Sequence, residues 1–354
     1  MKERASLLFQ GDTMRKALFS AISKVPVLML LAFSSSPSHA AQIAASIEYE
    51  IVTRPSGLPD TFQPASGTSL KFLAIKAIDG FRVDAALRQP GGKQPADTTL
   101  IVMVHGSGNN YTVAPNSTLS RSLSQKGYAS LAINTRQHDD KIYTENFLDI
   151  RRDIDAAVQT ARSLGYRSIV LQGHSLGTIQ VQFYAATNWD PDIKAVILLG
   201  AFGNLPWKSR NILVQNEETF KALIDASMKA LRNGTLGEYL PVRMRGITGQ
   251  EVPITGQHFL TYRWEQTSVA DGTYWIHRIP LPILMVRDQA DGLVQPFEPY
   301  QLLSAAHSEG SLVTNIRYVL LPDAKPPSGD GHQFIGNEQP LTETVLSWLA
   351  EQHL

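Results

Sequence analysis

The chain has 354 residues, 43% hydrophobic and 18% charged, with 32 Lys and Arg set against 32 Asp and Glu. That composition supplies a core and excludes intrinsic disorder, while the balanced charge argues against binding nucleic acid or an acidic membrane through a basic surplus. With no cysteine in the sequence, disulfides, thiolate metal sites and cysteine nucleophiles are excluded.

Residues 1–40 read as an export signal. Met14-Arg15-Lys16 and Lys24 bring positive charge, Val25–Phe33 is a short apolar run, and Ser38 and Ala40 place small residues where a signal peptidase cleaves. The apolar run is about half the roughly 20 residues a spanning helix needs. No later stretch is long and apolar enough to span, so the mature chain is expected to be secreted or periplasmic. Residues 41–69 carry Pro55, Pro59 and Pro64 and read as irregular.

From residue 70 strands and helices alternate. Phe72–Ile78 and Phe81–Leu87 flank Asp79-Gly80, a favoured hairpin pair. Thr99–His105 is a near-continuous apolar run, as expected of a strand buried on both faces. Helical spacing follows at Leu119–Lys126, then a strand at Ala129–Asn134. A longer helix at Phe147–Leu164 puts Ile150, Ile154, Ala157 and Ala161 on one face. The strand Ser168–Gln172 leads into Gly173-His174-Ser175-Leu176-Gly177 and an amphipathic helix through Ala186, and a strand at Ala195–Gly200 comes next. After an interruption, strands at Leu281–Val286 and Asn315–Leu321 alternate with helices at Phe297–Ala306 and Leu341–Gln352. The alternation predicts a mostly parallel sheet with helices on both faces.

The interruption, residues 204–278, holds one clear helix at Glu217–Leu231 and then Tyr239, Phe259, Tyr262, Trp264, Tyr274 and Trp275. A segment this long either packs on itself or works as a lid, and its place after a core strand favours a lid over an apolar pocket. The run Asn134–Asp140 has adjacent Asp139 and Asp140, which point apart, and no second His at ligand spacing, so it reads as a loop rather than a metal site. Neither a dinucleotide fingerprint nor a Walker pattern is present, and no metal or organic cofactor is expected.

Gly173–Gly177 fits G-x-S-x-G, in which glycines let a strand and helix close on a strained serine. A serine hydroxyl needs a base to take its proton and donors to hold the oxyanion it creates. With a buried-type strand before Ser175 and a helix after it, the chain resembles an α/β-hydrolase. The resemblance implies a central, mostly parallel sheet with the core split over 70–203 and 279–354, a helical cap at 204–278, and a chain order of nucleophile, acid, histidine. His105-Gly106-Ser107-Gly108 resembles the family's oxyanion loop, so the backbone N–H groups of Ser107 and Leu176 are the expected oxyanion hole. Asp291-Gly292-Leu293-Val294 resembles the acid segment, with Arg287 standing near where a glycine is usual and Asp288 as the competing carboxylate. Gly331-His332-Gln333-Phe334 resembles the segment of the catalytic histidine. The expected chemistry is ester hydrolysis by Ser175, His332 and Asp291 on a small-molecule substrate with an apolar part. Amide, lactone or peptide hydrolysis on the same residues, and a silent binding protein on the same fold, are the alternatives.

Overall fold

A computed structural model describes residues 48–247, 249–324 and 330–354. The expected export signal at 1–40 and the loop residues Pro326, Pro327, Ser328 and Gly329 lie outside the described residues. The strands are β1 (Tyr49–Val52), β2 (Thr68–Lys76), β3 (Arg82–Pro90), β4 (Thr99–Val104), β5 (Ala129–Ile133), β6 (Ser168–His174), β7 (Ile193–Leu199), β8 (Met244–Arg245), β9 (Glu251–Val252), β10 (Pro282–Asp288) and β11 (Asn315–Leu321). All but β8 and β9 form one sheet in the order β1-β2-β3-β5-β4-β6-β7-β10-β11. Six neighbours from β5 to β11 run parallel, and β1, β2 and β3 add an antiparallel flank.

Alternation of inward side chains explains the unbroken apolar runs. In β4, Leu100, Val102 and Val104 enter one core, while Ile101 and Met103 enter the core on the opposite face. Helices α2 (Ile150–Ser163), α3 (Leu176–Thr187), α7 (Gly272–Ile276) and α8 (Glu298–Ala306) cover the first face; α1 (Asn116–Gln125) and α9 (Glu338–Glu351) cover the second. A strand buried on both sides has no polar alternation to show.

Two expectations need correction. The stretch read as irregular contains β1, paired with β2 from Tyr49↔Ile75 to Val52↔Phe72. It is a short edge strand held by backbone bonds, with Ile51 63% exposed, so it lacks the buried alternation that would mark it. Helix α3 is not amphipathic: Leu176–Ala186 is buried throughout. One side lies on the sheet, and Ile179 and Phe183 on the other pack against Phe147, Phe202 and Tyr262.

Between β7 and β10, residues 204–278 form α4 (Leu205–Lys208) running into a wide helical turn to Val214, α5 (Glu217–Asn233), the β8–β9 hairpin and α6 (Gly256–His258) continuing to Arg263. Phe220, Leu223, Met244, Ile254 and Phe259 give this segment its own apolar cluster. Among the described residues no helix is long and apolar enough to cross a membrane.

Candidate active site

The strand order reverses at β4: the chain passes through α1 to β5 on one side of it and then through α2 to β6 on the other, and ligands of open parallel sheets bind at such a switch point beyond the strand ends. Ser175 stands there, at the sharp turn between β6 and α3, with φ 53° and ψ −123°. A serine held at positive φ costs on the order of 1–3 kcal/mol and persists because its surroundings force it. Those surroundings are the motif glycines. A Cβ at Gly173 would stand 2.3 Å from the Gly177 carbonyl oxygen, and one at Gly177 would stand 2.6 Å from the carbonyl oxygens of Val104 and His105. The loop after β4 crosses just as tightly, since a Cβ on Gly106 would lie 2.8 Å from Ser175 Cβ.

The other expected residues come to the same edge of the sheet. His332, in a single turn after β11, bonds through Nδ1 to Asp291 Oδ2 at 3.0 Å, and both side chains are buried. Asp291 Oδ1 accepts the N–H groups of Leu293 and Val294, each at 2.9 Å. Burial pushes the Asp291 carboxyl up, but the His332 contact and these two amides outweigh it and hold the group below the ordinary carboxylate range. Asp288 is occupied elsewhere: Oδ1 accepts Ala290 N at 2.8 Å, and Oδ2 accepts Asn337 Nδ2 at 2.7 Å. Among the described residues no hydrogen bond joins Ser175 to His332. Sites without substrate often hold this link long and close it in the complex.

Several positioning residues carry no signal in an isolated motif. His174, the variable residue of the elbow, donates from Nε2 to the His332 carbonyl at 2.8 Å, with the two rings 4.9 Å apart. Burial drives the His174 imidazole down to about 3, so it is neutral and a fixed donor. His105 is likewise driven down to about 4 by burial; its Nδ1 donates to Gly106 O at 2.7 Å and Nε2 accepts Thr135 N at 3.1 Å. It thereby ties the loop bearing Ser107 to the end of β5. Arg287, the departure from the family pattern, donates through Nη2 to the carbonyls of Asp291 at 2.8 Å and Val294 at 2.9 Å, clamping the acid loop. Gly200 lies under the pair: a Cβ there would be 3.3 Å from His332 Cε1 and 3.4 Å from Asp291 Oδ2.

A cavity of about 340 Å³ opens beside Ser175 and Ser107. No backbone hydrogen bond among the described residues occupies the N–H of Ser107 or of Leu176, the first residue of α3. The aromatic residues expected to line the pocket do not. Phe259 and Tyr262 are buried, Tyr239 and Tyr274 face outward, and Trp275 packs on Phe183 at 4.9 Å. Aliphatic Leu205, Ile212 and Leu213 line the cavity instead, together with Lys208, Arg245 and Arg263. Rings of this size gain more by burial among other rings than by facing a wet cavity.

The profile of the alpha/beta hydrolase fold matches residues 99–326, more than half of the chain. Est1E from Butyrivibrio proteoclasticus, solved with ferulic acid bound, is 22% identical with a TM-score of 0.57, over 78% of this chain and 98% of its own. The esterase domain of a Rhodothermus marinus protein is 21% identical with a TM-score of 0.51, over 79% and 98%. The Pyrococcus furiosus esterase Pf2001 is 14% identical with a TM-score of 0.53, over 86% and 98%. No curated protein matches the sequence. At these identities the solved structures speak to fold, and with the family profile they lead to one conclusion: the chain belongs to the α/β-hydrolase family.

Proposed function

We propose that this hydrolase is an exported serine enzyme that cleaves carboxylic esters, with Ser175 as nucleophile, His332 as base and Asp291 as the acid that orients it. The observation that carries the reading is the buried Nδ1–Oδ2 contact of His332 with Asp291, beside a serine held at positive φ. A proton fixed on Nδ1 by that carboxylate leaves Nε2 as the free acceptor. His332 takes the Ser175 proton as Oγ attacks the ester carbon, and Asp291 stabilises the imidazolium that forms. The amides of Ser107 and Leu176 hold the oxyanion. His332 returns the proton to the departing alkoxide, and water then repeats the cycle on the acyl-serine, releasing acid and restoring the enzyme. Residues 204–278 serve as a cap that walls the cavity. The leading 40 residues support export, and an exported chain should begin at Ala41 on N-terminal sequencing.

A fluorophosphonate probe tests the chemistry. Purified protein should label and lose labelling in Ser175→Ala; an unlabelled wild type, or labelling that survives the substitution, refutes a serine enzyme. Hydrolysis of p-nitrophenyl esters but not of the matching anilides separates an esterase from an amidase.

A further inference from the structure

The cavity beside Ser175 has an unbalanced charge. Lys208, Arg245 and Arg263 line it, and among the described residues no carboxylate does. Lys208 is already neutralised, since Nζ meets Glu298 Oε2 at 2.7 Å and the Leu293 carbonyl at 2.6 Å. The two arginines are not, for neither makes an ion pair with a described carboxylate. Arg263 is 1% exposed and has only neutral neighbours: Nε donates to His258 Nε2 and Nη1 to Ser209 Oγ, each at 3.3 Å, above the Tyr143 ring. Burial pulls its guanidinium below the usual arginine range and holds His258 well below the ordinary imidazole range, so His258 is neutral and accepts from Arg263 without balancing its charge. Among the described residues Nη2 of Arg263 has no hydrogen-bond partner, and Arg263 lines the cavity. Arg245, exposed on β8, lies along the turn that closes the hairpin, with Nη2 3.5 Å from where a Gly249 Cβ would stand.

An arginine removed from water without a counter-ion is costly. Arg88 and Arg287 are also buried without an ion pair, but they donate to backbone carbonyls and lie away from the cavity lining, whereas Arg263 lines the cavity and donates only to neutral side chains. Its fork of donors suits a planar carboxylate. A cavity of this volume equals that of about eleven liquid waters, room enough for a short ester chain bearing a second polar end.

We infer that the substrate carries an ionised carboxylate besides its ester, and that Arg263, assisted by Arg245, binds it inside the cavity next to Ser175. This inference rests on the serine-esterase reading and sharpens its substrate class from apolar esters to half-esters of dicarboxylic acids or their equivalents. The apolar part then lies against Leu205, Ile212 and Leu213, which line the same cavity.

The test compares initial hydrolysis of monomethyl adipate and dimethyl adipate by pH-stat, in wild type, Arg263→Met and Arg245→Gln. In wild type kcat/KM for the monoester should exceed that for the diester by about tenfold or more, a charge-assisted hydrogen bond being worth about ten- to a hundredfold. That ratio should fall at least several-fold in each variant, and toward unity in high salt. Equal rates in wild type, or a ratio unmoved in Arg245→Gln, would overturn the inference; Arg245 is exposed, so that variant keeps the test alive if Arg263→Met does not fold. Calorimetric titration of Ser175→Ala with both esters is independent of turnover. Tighter binding of the monoester, weakened by adding Arg245→Gln, supports the anion site, and indistinguishable binding refutes it. Loss of fluorophosphonate labelling together with a persistent monoester preference in that titration would remove the enzyme reading and leave the anion site standing.

Discussion

Asp291→Asn is the substitution whose outcome the geometry determines most sharply. An asparagine has one oxygen where aspartate has two. Placed at the Oδ1 position it keeps the Leu293 and Val294 amides, both at 2.9 Å, and turns its NH₂ toward His332 Nδ1. The reversed amide would face two N–H groups with its own, leaving two buried donors unpaired at a cost of about 1–3 kcal/mol each. The first arrangement therefore wins, and the imidazole must accept at Nδ1 and carry its proton on Nε2. In the proposed mechanism that nitrogen receives the Ser175 proton. If the proposed roles hold, the expected loss in kcat/KM is about 10³–10⁴, or about 4–5.5 kcal/mol of barrier, as for a wrong-tautomer asparagine in a serine triad. Asp288→Asn provides the control: it gives up the Asn337 contact and about 1–3 kcal/mol of stability, with activity within about tenfold of wild type. Steady-state kinetics on a p-nitrophenyl ester, with thermal melts to confirm folding, decides. An Asp291→Asn enzyme within tenfold of wild type, or one more active than Asp288→Asn, would refute the assignment of the acid.

Because Asp291 has a depressed pKa in the folded chain, the unfolded state binds more protons as pH falls, so its contribution is present above pH ~4 and is lost as pH falls through the folded value; urea melts should show wild-type stability declining more steeply than Asp291→Asn in that acid window, and parallel curves would contradict the shift. Gly106→Ala puts a methyl 2.8 Å from Ser175 Cβ and 3.3 Å from its Oγ and must displace the loop after β4 that is proposed to hold the oxyanion, so kcat should drop about a hundredfold; a normal kcat would refute that role for the loop. Lys208→Met strands the buried Glu298 carboxylate and should destabilise by about 3–5 kcal/mol, whereas adding Glu298→Gln should restore part of that loss; additive effects in denaturant melts would show that the pair is not coupled.

The parts of the fold that were legible in the sequence are those with local causes. The run at Thr99–His105 read as a buried strand and Leu281–Val286 as a strand because both faces of the sheet are covered, and Gly173–Gly177 read as an elbow because the spacing itself is local, although the Gly177 side of its steric demand is set by the carbonyls of Val104 and His105. β1 escaped because an edge strand is specified by its partner's free backbone groups, not by its own side chains. His174 escaped for the opposite reason. Nothing in its neighbourhood along the chain marks it, and its function exists only because His332, 158 positions later, presents a carbonyl to it. The aromatic residues of 204–278 misled about the cavity: Phe259 and Trp264 pack in the segment's own cluster, Tyr262 and Trp275 pack against Phe147 and Phe183, and Tyr239 and Tyr274 face outward, which leaves the segment's share of the apolar cavity wall to Leu205, Ile212 and Leu213.

Net charge misleads in a similar way. Equal numbers of acidic and basic residues argue against polyanionic partners, because counterion release needs many cations on one surface. A small anion needs only one or two cations in a site from which carboxylates are absent, and a whole-chain sum is blind to that. Here the sum is zero while the wall beside Ser175 holds three cations, one of them cancelled by Glu298. The compensating acids stand elsewhere, for instance Asp79 and Asp153 around Arg136 at the base of the β5 loop. Burial makes that distribution consequential: an exposed arginine such as Arg245 is screened by water, but Arg263 keeps most of its field for whatever enters the cavity. On the proposed reading, ligand preference follows from where residues 204–278 place unpaired charge, and Ser175, His332 and Asp291 do not determine it.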